Sequence, residues 1–445
     1  MSELALFGGP KAITKDPGDL FKWPIITKED EDAVLDVLRS GSMSGTDVTR
    51  EFEKEFAAWQ GLDLALGFST GTAAIQSAMF GCKVGVGDEI ICPTVTYWAS
   101  GLQAFTLGAT VVFANVDPDT LCIDPNDIEH RIGPRTKAIV VVHYTGHPAD
   151  MDPIMAIAKK HGIKVIEDVS HAHGGLYKGK MVGTFGDVAA MSLMSGKSLA
   201  IGEAGILATN DREIYERAIA FGHYSRYRAE DMETESLKAH AGLPMGGYKY
   251  RMHQMSSAVG RVQLRHYNDR MLEIRKGMNY FWDLLEGVPG IKAHRVDEKT
   301  GSTMGGWYAP KGLYKSEELG GLSVTRFCEA VRAEGFDGCS PGCNLALHTH
   351  SLFQTLDVYG HGKPTRIANA DRDVRELDKT LAPSEEIGAK SYSIPWFKHF
   401  EPEKIEEYAK AFKKVAMNYK ELLKDDPGNP AEIGGWHFFQ HSPKK

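Results

Sequence analysis

The chain has 445 residues, of which 42% are hydrophobic and 25% charged, an ordinary globular composition whose length suits two or three domains with substantial cores. Its net charge of −8, with acidic and basic residues mixed throughout, offers no basic stripe to neutralise a phosphate backbone and argues against nucleic acid as a partner. No apolar run reaches membrane-spanning length, no signal-peptide pattern opens the chain, and its six cysteines are too sparse for a disulfide framework, so a cytoplasmic protein with reduced thiols and no membrane partner is expected.

The first predicted helix runs from Lys28 to Leu38, with Thr27 as N-cap and Ser40-Gly41 as its end, and a second from Thr49 to Trp59. From about residue 60 to 210, short apolar runs alternate with helical patterns: LALGF at 64–68, EIICP at 89–93, TVVFANV at 110–116, AIVVVH at 138–143, KVIED at 164–168 and VAAMSL at 188–193. That alternation predicts an α/β domain with a mainly parallel sheet, whose ligands bind beyond the carboxyl ends of the strands. Tyr250 to about Leu285 has helical spacing, as do 322–335 and 402–424, while the stretch between these last two is rich in Gly, His and Pro. We therefore divide the chain into a large domain at 1–270, a smaller C-terminal α/β domain at 271–424 and a tail at 425–445. The tail carries Trp436, Phe438 and Phe439, expected to pack on its own subunit or on a dimer partner.

Four features placed just after these runs match the needs of pyridoxal 5′-phosphate (PLP): an amine for a Schiff base, a carboxylate for the ring nitrogen, a flat partner for the ring and donors for the phosphate. Lys197, five residues past Ser192, is the candidate amine, able to act afterwards as the base that moves the Cα proton. Asp168 ends the KVIED run, where a carboxylate needs a cationic partner such as a protonated ring nitrogen. Gly71 and Thr72 open a helix after the LALGF run, where N–H groups and the helix dipole can hold a phosphate. Tyr97 can stack on the ring, with Trp98 as a competitor. Taken singly, each has a structural alternative: a solvated lysine, a turn aspartate, a helix cap and a core aromatic.

In order, Gly71-Thr72-Ala73, Thr96-Tyr97, Glu167-Asp168 with His171, Ser192 with Lys197, and Gly202-Glu203 resemble the DegT/StrS-type sugar aminotransferases of the fold-type I PLP enzymes, from about Trp23 to Leu264 and again near Pro395. The resemblance implies a three-layer αβα large domain with a mainly parallel mixed sheet, a homodimer with interface active sites, and transfer of an amino group from glutamate or glutamine to a ketone. It implies that Ser192 joins Gly71 and Thr72 at the phosphate, that Tyr97 stacks on the ring, and that His171 approaches the ring hydroxyl. Sugar-dehydrating relatives carry histidine at the position of Lys197, so the lysine argues for amino transfer.

Two departures stand out. The family's Gly-Tyr-Asn-Tyr-Arg is here Gly247-Tyr248-Lys249-Tyr250-Arg251, so Lys249 would meet the partner's phosphate as a point charge, and Gly-Glu-Gly-Gly is here Gly202-Glu203-Ala204-Gly205. The opening Leu4 to Pro10 with Trp23-Pro24 looks more like branches acting on cyclitol ketones and aminobenzoate precursors, and both a cyclitol ketone and a nucleotide-linked keto-sugar stay open as acceptor. Arg226, Arg228 and Arg251 are candidates for a substrate carboxylate or phosphate. Cys339, Cys343, His348 and His350 match no common zinc spacing, so no metal is expected. Two rivals remain: a PLP-binding protein without turnover, and a dinucleotide-dependent oxidoreductase, which lacks its early G-x-G-x-x-G turn here.

Overall fold

The computed structural model describes Ser2 to Trp436. The predicted runs form strands β1 (Leu64–Phe68), β2 (Glu89–Pro93), β3 (Thr110–Ala114), β4 (Thr136–Val142), β5 (Lys164–Asp168) and β6 (Val188–Ser192). A seventh strand that the sequence reading missed, β7 (Gly205–Thr209), inserts between β1 and β6, giving the order β1-β7-β6-β5-β4-β2-β3. It runs antiparallel to both neighbours while all other pairs are parallel, so the sheet is mixed but mainly parallel, as expected. β3 stops at Ala114 because Val116 turns away to bridge Ile123.

Helices flank this sheet: α1 (Lys28–Ser40), α2 (Asp47–Gln60), α3 (Gly71–Gly81), α4 (Met151–His161), α5 (Arg212–Gly222) and α6 (Gln254–Leu284). At the start of α1 the Asp30 carboxylate accepts from both the N–H and the hydroxyl of Thr27, tying down the first turn. α6 begins four residues later than its pattern suggests. Tyr250 and Arg251 are extended instead, because Ser69 N–H bonds the Tyr250 carbonyl at 2.8 Å and Arg251 bridges Phe68, and the His253 side chain then caps the helix.

A second core forms where the C-terminal half of α6 meets α7 (Val324–Ala333), α8 (Pro402–Met417) and a three-stranded antiparallel sheet of β8 (Ile291–Ala293), β9 (Lys311–Tyr314) and β10 (Ser391–Ser393). Leu4 and Leu20 of the opening segment are buried in this second core, and the Glu334 carboxylate accepts from the N–H groups of Ala5 and Ala12. Conversely, Leu347, Phe353, Val374 and Ile387 pack into the first core. Their segment covers the β3 edge: Arg366 Nε bonds the Val111 carbonyl at 2.8 Å while its guanidinium pairs with buried Asp378, which blunts an otherwise open strand.

Candidate active site

Asp168 closes β5 and lies 4% exposed. One carboxylate oxygen accepts the Ser100 hydroxyl at 2.8 Å and the other the Ser170 N–H at 3.0 Å. Side chains alternate along a strand, so adjacent Glu167 faces the other way. There it is a structural clamp, accepting from the N–H groups of Gly183, Phe185 and Gly186 and bonded to His143. Burial alone would raise the Glu167 pKa, but His143 and these N–H donors hold it below the usual range.

Beyond β6 the chain folds back on itself, with Lys197 N–H on the Met194 carbonyl and Ile201 N–H on the Leu193 carbonyl. Three contacts fix the turn. The Trp23 indole N–H donates to the Lys197 carbonyl at 2.8 Å, and the Ser198 hydroxyl sits 3.0 Å from both His173 Nδ1 and the Tyr267 hydroxyl. The Lys197 side chain is 6% exposed, and among the described residues its amine forms no hydrogen bond or ion pair, resting 3.8 Å from the centroid of the Tyr308 ring. Burial lowers its pKa to about 7, against the opposing pull of the Asp168 charge, which favours the uncharged, nucleophilic amine near neutral pH far more than in an exposed lysine.

At the start of α3 the Thr70 hydroxyl accepts the Ala73 N–H at 3.1 Å and the Thr70 carbonyl accepts from Ala74. The N–H groups of Gly71 and Thr72 have no acceptor among the described residues and form the positive end of the helix. Ser192 is pressed against them: a Cβ on Gly71 would lie 2.5 Å from that of Ser192. Glycine is therefore required where strand and helix touch.

The Tyr97 and Trp98 rings lie 4.8 Å apart, and burial raises the Tyr97 pKa with a smaller contribution from nearby Glu203. His171 is buried, its Nδ1 accepting the Thr145 N–H at 3.3 Å, so its proton resides on Nε2. Burial, with Lys197 close by, keeps it neutral by driving its pKa well down. Its ring lies 4.7 Å from that of Tyr308 and 5.5 Å from that of Tyr144.

The structure thus brings Asp168, His171 and Lys197 into one buried cluster, and Gly71, Thr72 and Ser192 into another at the neighbouring strand ends. Lys249 is not among them within the chain: it is exposed, its amine 5.9 Å from the Tyr224 ring. Arg226 does not present a free guanidinium, being buried against the Glu53 carboxylate and the Tyr215 hydroxyl. Arg251 donates to the Ser44 carbonyl and Arg228 is exposed. His348 is engaged by Thr94 and Glu385, while His350 caps a short helix and meets Trp436 edge-on at 4.7 Å. The remaining aromatics of the tail, Phe438 and Phe439, lie outside the described residues.

Three residues of the site escaped the sequence reading: Ser100 on Asp168, Trp23 on the Lys197 carbonyl, and Tyr308 beneath the Lys197 amine. Tyr308 had one signal, the Gly305-Gly306 pair before two aromatics, which marks a tight backbone. A buried unpaired amine, an accepting carboxylate, paired free N–H groups beside a serine hydroxyl and a flat aromatic form the donor set that PLP requires, and these residues fit it.

A family model described as the DegT/DnrJ/EryC1/StrS aminotransferase family matches residues 24–375. The spore coat polysaccharide biosynthesis protein SpsC of Bacillus subtilis is 35% identical over 344 residues, 75% of this chain and 85% of that protein. An L-glutamine:2-deoxy-scyllo-inosose aminotransferase of Streptomyces kanamyceticus is 34% identical over 320 residues, 70% of this chain and 74% of that protein. Among solved structures, an aminotransferase from Psychrobacter cryohalolentis matches with a TM-score of 0.76 at 28% identity, covering 90% of this chain and 100% of that one.

Proposed function

The chain belongs to the DegT/DnrJ/EryC1/StrS aminotransferase family and is a PLP-dependent aminotransferase; from that premise we propose that it moves an amino group from glutamate or glutamine to a ketone of a cyclitol or a nucleotide-linked keto-sugar. The inosose aminotransferase, which takes glutamine and a cyclitol ketone by its name, supports the first acceptor class. GDP-perosamine synthase of Escherichia coli O157:H7, 36% identical over 247 residues, supports the second by its name.

Bound PLP supplies an electron sink and carries the amino group between the two substrates. In our reading Lys197 holds the cofactor and then moves the substrate Cα proton, and Asp168 holds a proton at the ring nitrogen. Ser100 and Ser170 N–H keep that carboxylate aimed. Gly71, Thr72 and Ser192 bind the phosphate, Tyr97 stacks on the ring, and neutral His171 donates from Nε2 toward the ring hydroxyl. Lys249, facing outward in an exposed segment with Leu243 and Met245, reaches the partner's phosphate in a homodimer. A cytoplasmic setting is part of the proposal, supported by six free, buried cysteines.

The observation that carries this reading is the Lys197 amine, buried, unpaired among the described residues and partly neutral at pH 7. An absorbance spectrum of the purified protein with PLP tests it. We expect a band from cofactor joined to the lysine, its loss on adding glutamate or glutamine, and its absence in Lys197→Ala. A wild-type spectrum that shows free PLP alone would sink the assignment of Lys197.

A further inference from the structure

We propose that Tyr308 is a further catalytic residue, the face of its ring holding the Lys197 ammonium that forms each time Lys197 takes up a proton. The inference rests on the reading of Lys197 as the proton-moving lysine. In that step the substrate Cα–H bond breaks, its electron pair stays with the carbon and is drawn toward the cofactor ring, and the proton makes a third N–H bond on Lys197. With PLP bound, that third N–H bond would then break as Lys197 passes the proton on to the cofactor carbon that had carried the imine, leaving the amine as it began.

The geometry is specific. The amine lies 3.8 Å from the ring centroid, well inside the range over which a cation is drawn to an aromatic face. The His171 ring meets the Tyr308 ring at 4.7 Å, and Trp396 meets it edge-on at 5.7 Å, so the ring cannot turn away. Its backbone is held under strain: Trp307 and Ala309, on either side, have φ of 53° and 47°, and Gly306 has 61°. Left-handed backbone at two residues with side chains is sparsely populated and persists where surrounding contacts over-determine it. Gly305 supplies such contacts, donating to the Gly146 carbonyl at 2.8 Å and lying so close to Ala172 that a Cβ would sit 2.2 Å from its carbonyl oxygen.

The charges around Lys197 show why a ring is suited to this position. Asp168 faces it from β5, His171 and His173 from the loop that follows, and Tyr308 from the segment before β9. Burial keeps both histidines neutral, and Asp168 is already bonded to Ser100 and Ser170 and assigned to the cofactor's ring nitrogen. An extra carboxylate here would trap the proton on Lys197, whereas a ring face attracts the ammonium weakly enough for the proton to be passed on.

The test compares wild type with Tyr308→Phe, Tyr308→Leu and a multiply fluorinated phenylalanine at 308, which keeps the shape and weakens the ring face. In the holoenzyme, the half-reaction with glutamate is followed by stopped-flow absorbance using Cα-protium and Cα-deuterium substrate. We expect Phe to stay within about twofold of wild type, and Leu and the fluorinated ring to slow the reaction roughly tenfold with a larger deuterium effect. In the apoprotein, competitive acylation of Lys197 followed by mass spectrometry against pH gives the amine's titration midpoint, expected to fall in both ring-weakened variants. If Leu fails to fold, the fluorinated variant decides alone. An unchanged isotope effect and midpoint overturn the proposal, as does a loss in Phe equal to that in Leu, which would assign the role to the hydroxyl. A wild type inert to glutamate and glutamine would instead sink the role of Lys197, with the acylation midpoint still deciding whether ring and ammonium interact.

Discussion

Trp23 donates its indole N–H to the backbone carbonyl of Lys197 at 2.8 Å, across 174 positions of sequence. The opening segment therefore has a second task besides lining the second core: it sets the height of the turn that carries the reactive amine. A carbonyl in a buried turn that loses its hydrogen-bond donor costs about 1 to 3 kcal/mol. Trp23→Phe, which keeps an aromatic ring but removes the N–H, is expected to weaken PLP binding by up to about tenfold. A PLP titration followed by absorbance checks this, and an unchanged Kd would show that the turn is rigid without Trp23.

The lowered pKa of Lys197 predicts how the apoprotein captures PLP. Only the neutral amine attacks the aldehyde, so the rate of capture rises with pH while Lys197 loses its proton and levels off above about 7. An exposed lysine would keep gaining rate to about pH 10. Stopped-flow measurements between pH 5.5 and 9.5 separate the two curves.

Gly71→Ala drives a methyl group to within 2.5 Å of Ser192 Cβ and 2.6 Å of its Cα. The start of α3 must then move from β6, at an expected cost of about 1 to 3 kcal/mol in stability, together with weaker PLP binding. Gly85→Ala, whose nearest neighbour would be 4.0 Å away, is the control expected to leave both unchanged. Urea unfolding and the same PLP titration read the pair.

Lys398 is 4% exposed, lies over the rings of Trp23 and Trp396, and its amine has no hydrogen-bond partner among the described residues. Burial pushes its pKa well below the usual lysine value. A folded value below the unfolded one means the unfolded chain binds more protons, so the burial penalty is complete below the folded pKa and fades as pH rises toward about 10.4. Lys398→Met is therefore expected to stabilise the protein by about 1 to 3 kcal/mol at pH 7 and by progressively less toward pH 10. Denaturation at several pH values would expose a wrong sign at once.

Six of the seven strands of the large sheet were legible because apolar runs ending in polar residues announce buried parallel strands. β7 was not, since its five residues follow a glycine-rich turn and differ little from the loop before them until Leu64 to Phe68 are known to lie alongside. Lys197 and Asp168 stood out as candidates by their place after such runs, and both are buried in the folded chain. Ser100, Trp23 and Tyr308 could not be, because their importance comes from contacts across 68 and 174 positions or from a strained turn far along the chain, and no local pattern encodes those. Arg226 shows the opposite error: a guanidinium that suggests substrate binding in sequence is sealed against Glu53 in space.

The place of β7 between β1 and β6 also orders events at the ribosome. Among the described residues β1 pairs with no strand of the sheet except β7, so it emerges early and waits while most of the sheet's other strands are made, a delay of roughly ten to thirty seconds at ordinary synthesis rates. During that wait LALGF is an apolar segment with both edges unpaired, the kind of sequence that nascent-chain chaperones cover. The sheet is thus completed by β7, which is second from its edge in space and last of its seven strands in sequence.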